Sequence, residues 1–396
     1  MNGEDNMKVL VLGGCGIQGK AVLYDLSRSD QVDEVICADY YPNHLERFED
    51  FLDLKKVKKI KVDAANKGAL ISLMKQGGDV VIDVLPPQFI KNVFEAAIET
   101  GVSLVNTNYA HEIRHLHALA VQKGISVMPE CGLDPGIDLV IYGYGVKQFD
   151  EINVLNSYCG GLPEKKACDN PLNYKISWNW DAVLRSQKRE GIFIKDGKKL
   201  TISPEDQHDN EMIHEIDFPG LGKLEAFPNG NAVFYADLLG ITKTIKETGR
   251  YSLRWPGWCA FWQPLKRFNF LGDEPVAGLP CEITPHQFLV NLMEPQLRYR
   301  DNEKDLAVMQ NVFIGLKDGK KKRITNNILI ERDLRTGLLA MSLGVGYAAS
   351  IAAQMIANGE IEKKGILSPA VDIPYHSFME RLRQRGIKID EQIEIS

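Results

Sequence analysis

The residues of this chain best suited by spacing to bind a ligand are the glycines of residues 13–19 (GGCGIQG). Gly14, Gly16 and Gly19 form the pattern G-x-G-x-x-G, which follows an apolar run and opens a helical one. In that context a diphosphate can bind, because N–H groups at the helix N-terminus face the anion and no Cβ obstructs it. We expect Gly14 to permit the tight turn, Gly16 to approach the diphosphate and Gly19 to let the helix lie close to the strand. Alternatively, the glycines form only a tight turn.

Asp39 ends the second β-rich run (EVICAD), where a dinucleotide site needs an acceptor for ribose hydroxyls. A carboxylate there accepts hydrogen bonds from both hydroxyls of NAD. The 2′-phosphate of NADP would instead bring like charges together, at a cost of about 4 kcal/mol for about 4 Å and an effective dielectric constant of about 20. The sequence therefore predicts NAD, with NADP less favoured. Asp39 is alternatively a helix cap.

Other candidate cofactor contacts are assigned by position, since ligands of open parallel sheets bind beyond the carboxyl ends of the strands. Those that follow strands are equally consistent with turn chemistry. The candidates are Ile17 and Gln18 in the glycine run, Asp63 after the third predicted strand, and Leu85 and Pro86 after the fourth.

Short β-branched runs alternate with helical patterns from residue 7 to residue 128. Nearly continuous apolar strands predict a parallel sheet covered on both faces, and right-handed crossovers then make it a doubly wound α/β sheet of the Rossmann type. We assign residues 7–133 to this dinucleotide-binding domain. The predicted strands are KVLVLG, EVICAD, KKIKVD, DVVIDV, VSLVN and ISVM, and the predicted helices span residues 17–27, 44–54, 67–75, 89–100 and 110–123.

After residue 129 the pattern changes to strand-like runs with fewer helices, which predicts a second α+β domain for substrate binding and dimerisation over residues 134–333. Residues 334–396 are predicted to form helices that pack back on the first domain. The strand-like runs are INVLNSY, GIFIKDG, KKLTIS, GRYSLRW, DLAVMQNVFIGL and RITNNILI.

The amino-acid composition and net charge exclude several classes of protein. The net charge of −6 gives no basic surface for nucleic acid, so a small-molecule partner is expected. Seven cysteines without a C-x-x-C pair argue against a disulfide framework or a zinc site, and no metal is expected. The first residues are polar and acidic, unlike a secretory signal. Together with the scattered cysteines they predict a cytoplasmic protein. Residues 338–357 are uncharged, but their Ala, Gly and Ser content predicts a buried helix and no membrane span.

Several uncommon blocks beyond the first domain occur in one order. Residues 130–138 (ECGLDPGID) are similar to the E-x-G-L-D-P-G-I-D segment of the saccharopine dehydrogenase family. The resemblance covers residues 7 to about 300 and is weaker beyond. The blocks that continue it are SYCGGLP at 157–163, DNPL at 169–172, YKISW at 174–178, FPN at 227–229 and LRWPG at 253–257.

The resemblance implies a Rossmann domain completed by C-terminal helices, an inserted substrate domain, a homodimer and the reversible oxidation of a C–N bond in lysine metabolism. Members of the family form glutamate from saccharopine, and related enzymes oxidise the side-chain amine of lysine. The glutamate-forming enzymes have Arg after a Pro-Asn pair, whereas Gly230 and Asn231 follow Asn229 here. This departure brings lysine into contention. A carboxynorspermidine-like imine reductase and an NAD-binding scaffold or sensor remain alternatives.

Oxidation of an amine requires a proton acceptor, because an alkyl amine with a pKa near 10.4 is protonated at neutral pH. The candidates for catalysis are Asp134, Cys159 and Lys175. Asp134 lies in a Pro-Gly loop and, by resemblance, contacts the amino-acid portion of the substrate, although it also suits a turn. Cys159 is alternatively a buried free cysteine, and Lys175 a lysine whose charged end reaches the surface.

The substrate also needs a cationic clamp for its carboxylate, best supplied by a bidentate arginine. Arg250 or Arg254 is expected to replace the arginine missing after Asn229, and Asn229 itself is assigned to substrate binding through the resemblance. Tyr109 follows the fifth predicted strand at the carboxyl edge of the sheet and is a further candidate.

Overall fold

The computed structural model of the chain describes residues 7–111 and 113–396, which form two compact units. The first unit comprises the chain up to Tyr144 together with Ser342–Ile387. The second comprises Gly145–Met341 and Lys388–Ser396. The functional domain boundaries expected after residues 133 and 333 remain a prediction.

Strands and helices are numbered in chain order. The strands are β1 (Met7–Leu12), β2 (Val32–Asp39), β3 (Val57–Lys61), β4 (Val80–Asp83), β5 (Ser103–Asn106), β6 (Ser126–Met128), β7 (Glu151–Pro163), β8 (Gly191–Lys195), β9 (Lys198–Ile202), β10 (His214–Phe218), β11 (Gly222–Pro228), β12 (Glu247–Arg254), β13 (Asp305–Lys317), β14 (Lys320–Glu331), β15 (Gly365–Ile366) and β16 (Asp390–Ile395). The α-helices are α1 (Ile17–Arg28), α2 (Lys67–Met74), α3 (Ile90–Thr100), α4 (His117–Gln122), α5 (Ile137–Gly145), α6 (Trp180–Ser186), α7 (Ala232–Leu238), α8 (Trp258–Arg267), α9 (Pro285–Met293), α10 (Ala340–Ala357), α11 (Pro369–Asp372) and α12 (Tyr375–Gln384).

The first unit contains a seven-stranded sheet in the order β15-β6-β5-β4-β1-β2-β3. All of its strand pairs are parallel. The strand order reverses at β1, which lies between β4 and β2, and the crevice beyond such a reversal is where dinucleotides bind. The predicted doubly wound sheet is therefore confirmed.

Two predicted helices of this unit differ in the structure. Residues 44–54 were expected to be helical, but a 3-10 helix over Pro42–Phe51 lies there, because Glu46 has a φ of 36° that interrupts regular helical geometry. Residues 110–123 form only a short 3-10 turn at Arg114–Leu116 followed by α4. Helical spacing of apolar residues does not by itself exclude such breaks.

Helix α10 carries the uncharged stretch predicted to be buried. It is long and apolar enough to cross a membrane, and 83% of its 18-residue window is buried within the folded chain. A Cβ at Gly346 would lie only 2.6 Å from Cβ of Ala21 and 2.9 Å from the nitrogen of Val22, so this glycine lets α10 pack closely on α1. The hydroxyl of Ser350 donates to Asp25 on α1.

The second unit contains a nine-stranded mixed sheet whose main path is β10-β11-β12-β7-β13-β14-β16, with β8 and β9 attached to β12. Its strand pairs are antiparallel except for β12 with β7. Beside the sheet, α6, α8 and α9 contribute to a core that contains Trp180, Trp258 and Trp262. The largely antiparallel α+β organisation expected after residue 129 is thus present.

Strand β16 departs from the expectation that residues 334–396 are helical. It pairs antiparallel with β14, and all six of its residues are exposed. Hydrogen bonds to β14 stabilise this edge strand. Its signal in the sequence is the alternation of Ile393 and Ile395 with polar residues, which the prediction of helices missed.

Candidate active site

The glycine turn joins β1 to α1 in a geometry that fits a diphosphate. Gly13 has a φ of 82°, so the residue that needs left-handed backbone is Gly13 and not Gly14 as expected. Gly14 is needed for a different reason, because a Cβ there would lie 2.6 Å from Sγ of Cys37 on β2. A Cβ at Gly19 would overlap the oxygen of Gly13, which agrees with its expected role in packing the helix on the strand.

Gly16 is the N-cap of α1, and no side chain of the described residues caps this helix end. The first N–H groups of a helix have no partner within the helix. A Cβ at Gly16 would meet only the oxygen of Gly13, at 3.3 Å, so the space beside it is otherwise open within the described part of the chain. The turn therefore has the donors and the room that a nucleotide diphosphate requires.

The carboxylate of Asp39 is held beside this turn. Its Oδ2 accepts from the backbone N–H of Cys15 at 3.0 Å, and its Oδ1 accepts from that of Tyr41 at 3.0 Å. The following 3-10 helix has Tyr41 as its N-cap, so Asp39 does not occupy the cap position. The two donated hydrogen bonds orient the carboxylate and leave lone pairs that ribose hydroxyls can use.

The other cofactor candidates lie on or near the same sheet edge. Ile17 is 48% exposed, and Gln18 is half-buried with a side-chain oxygen that has no partner among the described residues. Asp63 is exposed and accepts from the N–H of Ala65, as in a turn. Pro86 is exposed and precedes a short 3-10 helix. Their assignment to the cofactor remains a prediction.

A polar network at the ends of β4 and β5 was not identified from the sequence. Asp83 is 1% exposed, and burial raises its pKa to about 7. Its Oδ2 accepts from Nδ2 of Asn106 at 2.6 Å, and its Oδ1 accepts from the N–H of Leu85 at 2.9 Å. Asn108 donates to the carbonyl of Leu85 at 3.1 Å. These hydrogen bonds fix the backbone at Leu85. The feature of the sequence that indicates this network is the polar residue that ends each of the two apolar strands.

Tyr109 lies in the loop after β5, with its ring stacked on that of His111 at 5.7 Å. Glu130, also missed from the sequence, anchors this loop. Glu130 is fully buried and accepts from the N–H of Ala110 at 3.2 Å and from Nη2 of Arg114 at 3.2 Å. The loop that carries Tyr109 is therefore tied to the segment that leads to Asp134.

Asp134 lies in a tightly folded loop and is half-buried. The peptide bond to Pro135 is cis, and a Cβ at Gly136 would overlap the backbone of Gly132. Asp138 supports the loop by accepting from the N–H of Gly136 at 2.7 Å, and burial raises the pKa of Asp138 to about 8. The position of Asp134 is thus constrained, as a group that orients a substrate must be.

In the second unit, Cys159 lies on β7 opposite Met309 of β13 and is 6% exposed. The glycines after it serve close packing. A Cβ at Gly160 would overlap the backbone oxygen of Leu253, and one at Gly161 would overlap Oγ of Ser177. This segment of β7 therefore lies directly against β12 and the 174–178 segment.

Arg254 is a buried cation without a carboxylate partner among the residues that the structure describes. Its Nη1 donates to the carbonyl of Leu253 at 2.7 Å, while its Nε has no partner within the same ranges. The guanidinium lies 5.1 Å from the ring centroid of Tyr174 and 4.9 Å from that of Trp258. Burial lowers the pKa of Arg254 from its ordinary value. A desolvated guanidinium of this kind favours an anionic ligand.

Arg250 is 1% exposed and lies 4.8 Å from the ring centroid of Tyr235. Its backbone carbonyl accepts from the N–H of Asn229 at 2.8 Å, which places Asn229 next to β12. Gly230 has a φ of 72°, and Asn231 caps α7 by accepting from the N–H of Phe234. The position of the missing arginine is thus used for a turn and a helix cap.

Lys175 does not carry its charged end to the surface, as one of the two expectations had it. It is 2% exposed, and its Nζ lies 2.8 Å from Glu303 and 3.1 Å from Asp169. The ammonium group does not reach solvent and is paired with two carboxylates, and its assignment to catalysis remains a prediction. The contacts favour a structural ion pair between the 169–175 segment and the loop before β13.

No group of three or more potential metal ligands occurs in the ranges 7–111 and 113–396.

These features define a class: a Rossmann-type, pyridine-nucleotide-binding chain with an additional mixed-sheet unit. The saccharopine dehydrogenase NADP binding domain matches residues 9–128, and the saccharopine dehydrogenase C-terminal domain matches residues 132–387. The chain belongs to the saccharopine dehydrogenase family.

Similar proteins agree with this assignment. Saccharopine dehydrogenase [NADP(+), L-glutamate-forming] of Saccharomyces cerevisiae is 28% identical, with 97% of this chain and 99% of that protein covered. The mitochondrial alpha-aminoadipic semialdehyde synthase of Mus musculus is 26% identical over 98% of this chain, which spans 48% of that protein. The structure of apo saccharopine dehydrogenase (L-Glu forming) from Saccharomyces cerevisiae superimposes with a TM-score of 0.84 at 26% identity, covering 98% of this chain and 100% of that one.

Proposed function

We propose that this chain is a pyridine-nucleotide-dependent dehydrogenase that oxidises a C–N bond of an amino-acid substrate in lysine metabolism, with saccharopine as the first candidate. The observation that carries the proposal is the glycine turn with Asp39 fixed beside it by the N–H groups of Cys15 and Tyr41. Membership of a family whose similar members are named saccharopine dehydrogenases supports the choice of reaction.

The nicotinamide ring, when bound, supplies the hydride acceptor. The chain must then hold the substrate and accept the proton of its ammonium group. Arg254 suits the binding of a carboxylate because its buried guanidinium has no carboxylate partner in the described part of the chain. Asp134 suits orientation of the amino-acid portion, since its loop is held by Asp138.

NAD is the proposed cofactor, although the yeast relative is named as NADP-dependent. The reason is electrostatic. The carboxylate of Asp39 is kept beside the turn by two backbone donors, so it cannot easily withdraw from a 2′-phosphate. A homodimer and a cytoplasmic location are also proposed, and sedimentation velocity would test the dimer.

Lysine is a second candidate substrate. The arginine expected to hold a carboxylate of saccharopine is absent, and Gly230 and Asn231 instead form a turn and the cap of α7. A smaller substrate with fewer carboxylates needs fewer cationic partners.

A substrate panel tests the proposal. Purified protein is supplied with NAD or NADP and with saccharopine, lysine or carboxynorspermidine, while absorbance of the reduced cofactor is followed. Turnover of saccharopine supports the first candidate, and turnover of lysine alone supports the second. Cofactor binding without turnover of any substrate contradicts the enzymatic proposal and favours a scaffold or sensor.

A further inference from the structure

One face of the nine-stranded sheet carries both an apolar core and an open, polar groove. Side chains alternate between the two faces of a strand, so the even-numbered residues of β7 and β13 share this face. One part of it is filled by a core that includes Leu162, Leu253 and Val308. Another part forms a groove of about 570 Å³. We call it the polar groove; residues that define it are Asn156, Asp217, Glu247, Arg323, Gln392 and Glu394.

Charge in the polar groove favours a cation. Asp217, Glu247 and Glu394 contribute three carboxylates to its lining, whereas Arg323 is the single cationic residue among the described residues that line it. Arg323 lies opposite Glu394 in the register of β14 and β16, so part of the charge of Glu394 is balanced within the sheet. Asp217 likewise lies opposite Lys223 in the register of β10 and β11, whereas Glu247 lies opposite Val154. Glu247 therefore contributes the negative charge of the groove that no facing cation in the register balances.

Asn156 provides an independent indication of a ligand. It is 5% exposed, and its Nδ2 donates to Oε1 of Glu247 at 2.6 Å. Its Oδ1 accepts from no group in the ranges that the structure describes. A buried amide oxygen without a donor costs free energy, so the groove contains an acceptor that a ligand N–H would satisfy.

Apolar side chains also line the groove, beside further polar ones at Gln310, Thr325 and Asn327. Val154, Ile216, Val312 and Ile314 line the groove together with the ring of Tyr158. Acceptors with negative charge beside an aliphatic wall match a ligand that has an ammonium group on a hydrocarbon chain, because each part finds a suitable environment.

We propose that the polar groove binds an aliphatic ammonium compound, such as a diamine or a basic amino acid, as a second ligand site. Cys159 is an odd-numbered residue of β7, and Arg250 pairs with Ser157, so both lie on the opposite face of the sheet. The polar groove is therefore separated by the sheet from these candidate substrate residues, and its occupation does not depend on the proposed oxidation.

Isothermal titration of the full chain with cadaverine tests this site, with L-lysine as a second arm and 1-pentanol as the uncharged control. Binding of cadaverine or lysine without binding of pentanol is expected. Glu247→Gln keeps an acceptor for Asn156 but removes the charge, and should weaken binding about tenfold or more. Glu391→Gln removes a charge from the other face of β16 and should leave the affinity unchanged.

Two further measurements distinguish amine binding in the polar groove from amine binding elsewhere on the chain. The Asp134→Asn variant should bind cadaverine with normal affinity. If that variant loses binding while Glu247→Gln retains it, the amine binds at the candidate substrate residues and the proposal is overturned. Absence of amine binding would also overturn it. A second copy of the chain that covers the groove would also overturn the proposal. Sedimentation velocity detects that case, because Glu247→Arg would then convert the dimer to a monomer.

Discussion

At the scale of single residues, the candidate cofactor-binding groups of the first unit are held in place by hydrogen bonds from backbone N–H groups. Asp39 is oriented by the N–H groups of Cys15 and Tyr41, and Leu85 by the carboxylate of Asp83. Fixed groups lose little entropy when a ligand binds. Substitution of one such residue should therefore change affinity without unfolding the chain.

Asp39→Ala tests the choice of nucleotide. Removing the carboxylate takes away the acceptor for the ribose hydroxyls and the repulsion toward a 2′-phosphate. We expect NAD affinity to fall about tenfold and NADP affinity to rise, which fluorescence titration of the reduced cofactors would measure. Asp63→Ala is the matched control, because its exposed carboxylate accepts from Ala65 in a local turn. An unchanged ratio of affinities in Asp39→Ala would show that Asp39 does not select the cofactor.

Cys15 provides a chemical probe of the same turn. The thiols of Cys15 and Cys37 are 3.7 Å apart, and the hydrogen bond from Cys37 lowers the pKa of Cys15. Cys15 is buried, so its alkylation by iodoacetamide should be slower than that of an exposed thiol, and it should accelerate as pH rises because the thiolate is the nucleophile. Bound nucleotide should protect it, whereas the exposed Cys281 should react at the same rate in both states. Peptide mass spectrometry distinguishes the two sites. Equal labelling of Cys15 with and without nucleotide would contradict a cofactor at this turn.

At the scale of elements, the ion pair of Lys175 joins two segments far apart in the sequence. Lys175→Met should leave the buried Glu303 with only Arg300, an exposed side chain 3.5 Å away, as its cationic partner. The free energy of unfolding should therefore fall by about 2–4 kcal/mol, measured by urea denaturation. Lys175→Met with Glu303→Leu should recover much of this loss. A large loss of turnover in Lys175→Met, with unchanged stability, would instead favour a catalytic lysine.

The pH dependence of this ion pair has a definite sign. Burial acts to raise the pKa of Glu303. The hydrogen bonds from Lys175 and from the N–H of Arg300, together with the positive charges of both residues, outweigh it, so the pKa of Glu303 is lowered overall. A carboxyl with a lowered folded-state pKa stabilises the chain above its unfolded pKa and loses that contribution as pH falls through the folded pKa. Acidification below about pH 4 should therefore destabilise the natural chain more than Lys175→Met.

Elements were predictable where local pattern sufficed. The strands of the first unit other than β3 are largely apolar, and the glycine spacing marks the βα turn within a few consecutive residues. The short alternation of Ile393 and Ile395 with polar residues in β16 was missed, whereas the spacing of apolar residues gives no sign of the break at Glu46. The partner of Lys175 was equally hidden, since Glu303 lies 128 residues away and only tertiary structure joins them.

At the scale of the whole molecule, each compact unit has a core of its own. The first contains the cluster around Leu10, Ile36 and Phe94, and the second the cluster around Trp258 and Trp262. The groups expected to bind the dinucleotide, from Gly13 to Asp39, belong to the first unit alone. Binding energy should therefore act first on the unfolding of that unit.

Differential scanning calorimetry of the full chain tests this expectation. A ligand that binds only the folded state stabilises it by about 2.7 kcal/mol at about 100 times its Kd, so nucleotide should raise the transition of the first unit. Tryptophan fluorescence reports the second unit, because Trp178, Trp180, Trp255, Trp258 and Trp262 all lie there. Its melting curve should shift less than the calorimetric transition of the first unit. A single transition that shifts equally in calorimetry and in fluorescence would mean that the two cores unfold as one cooperative structure. The absence of a shift with either NAD or NADP would remove the basis for a nucleotide-dependent enzyme.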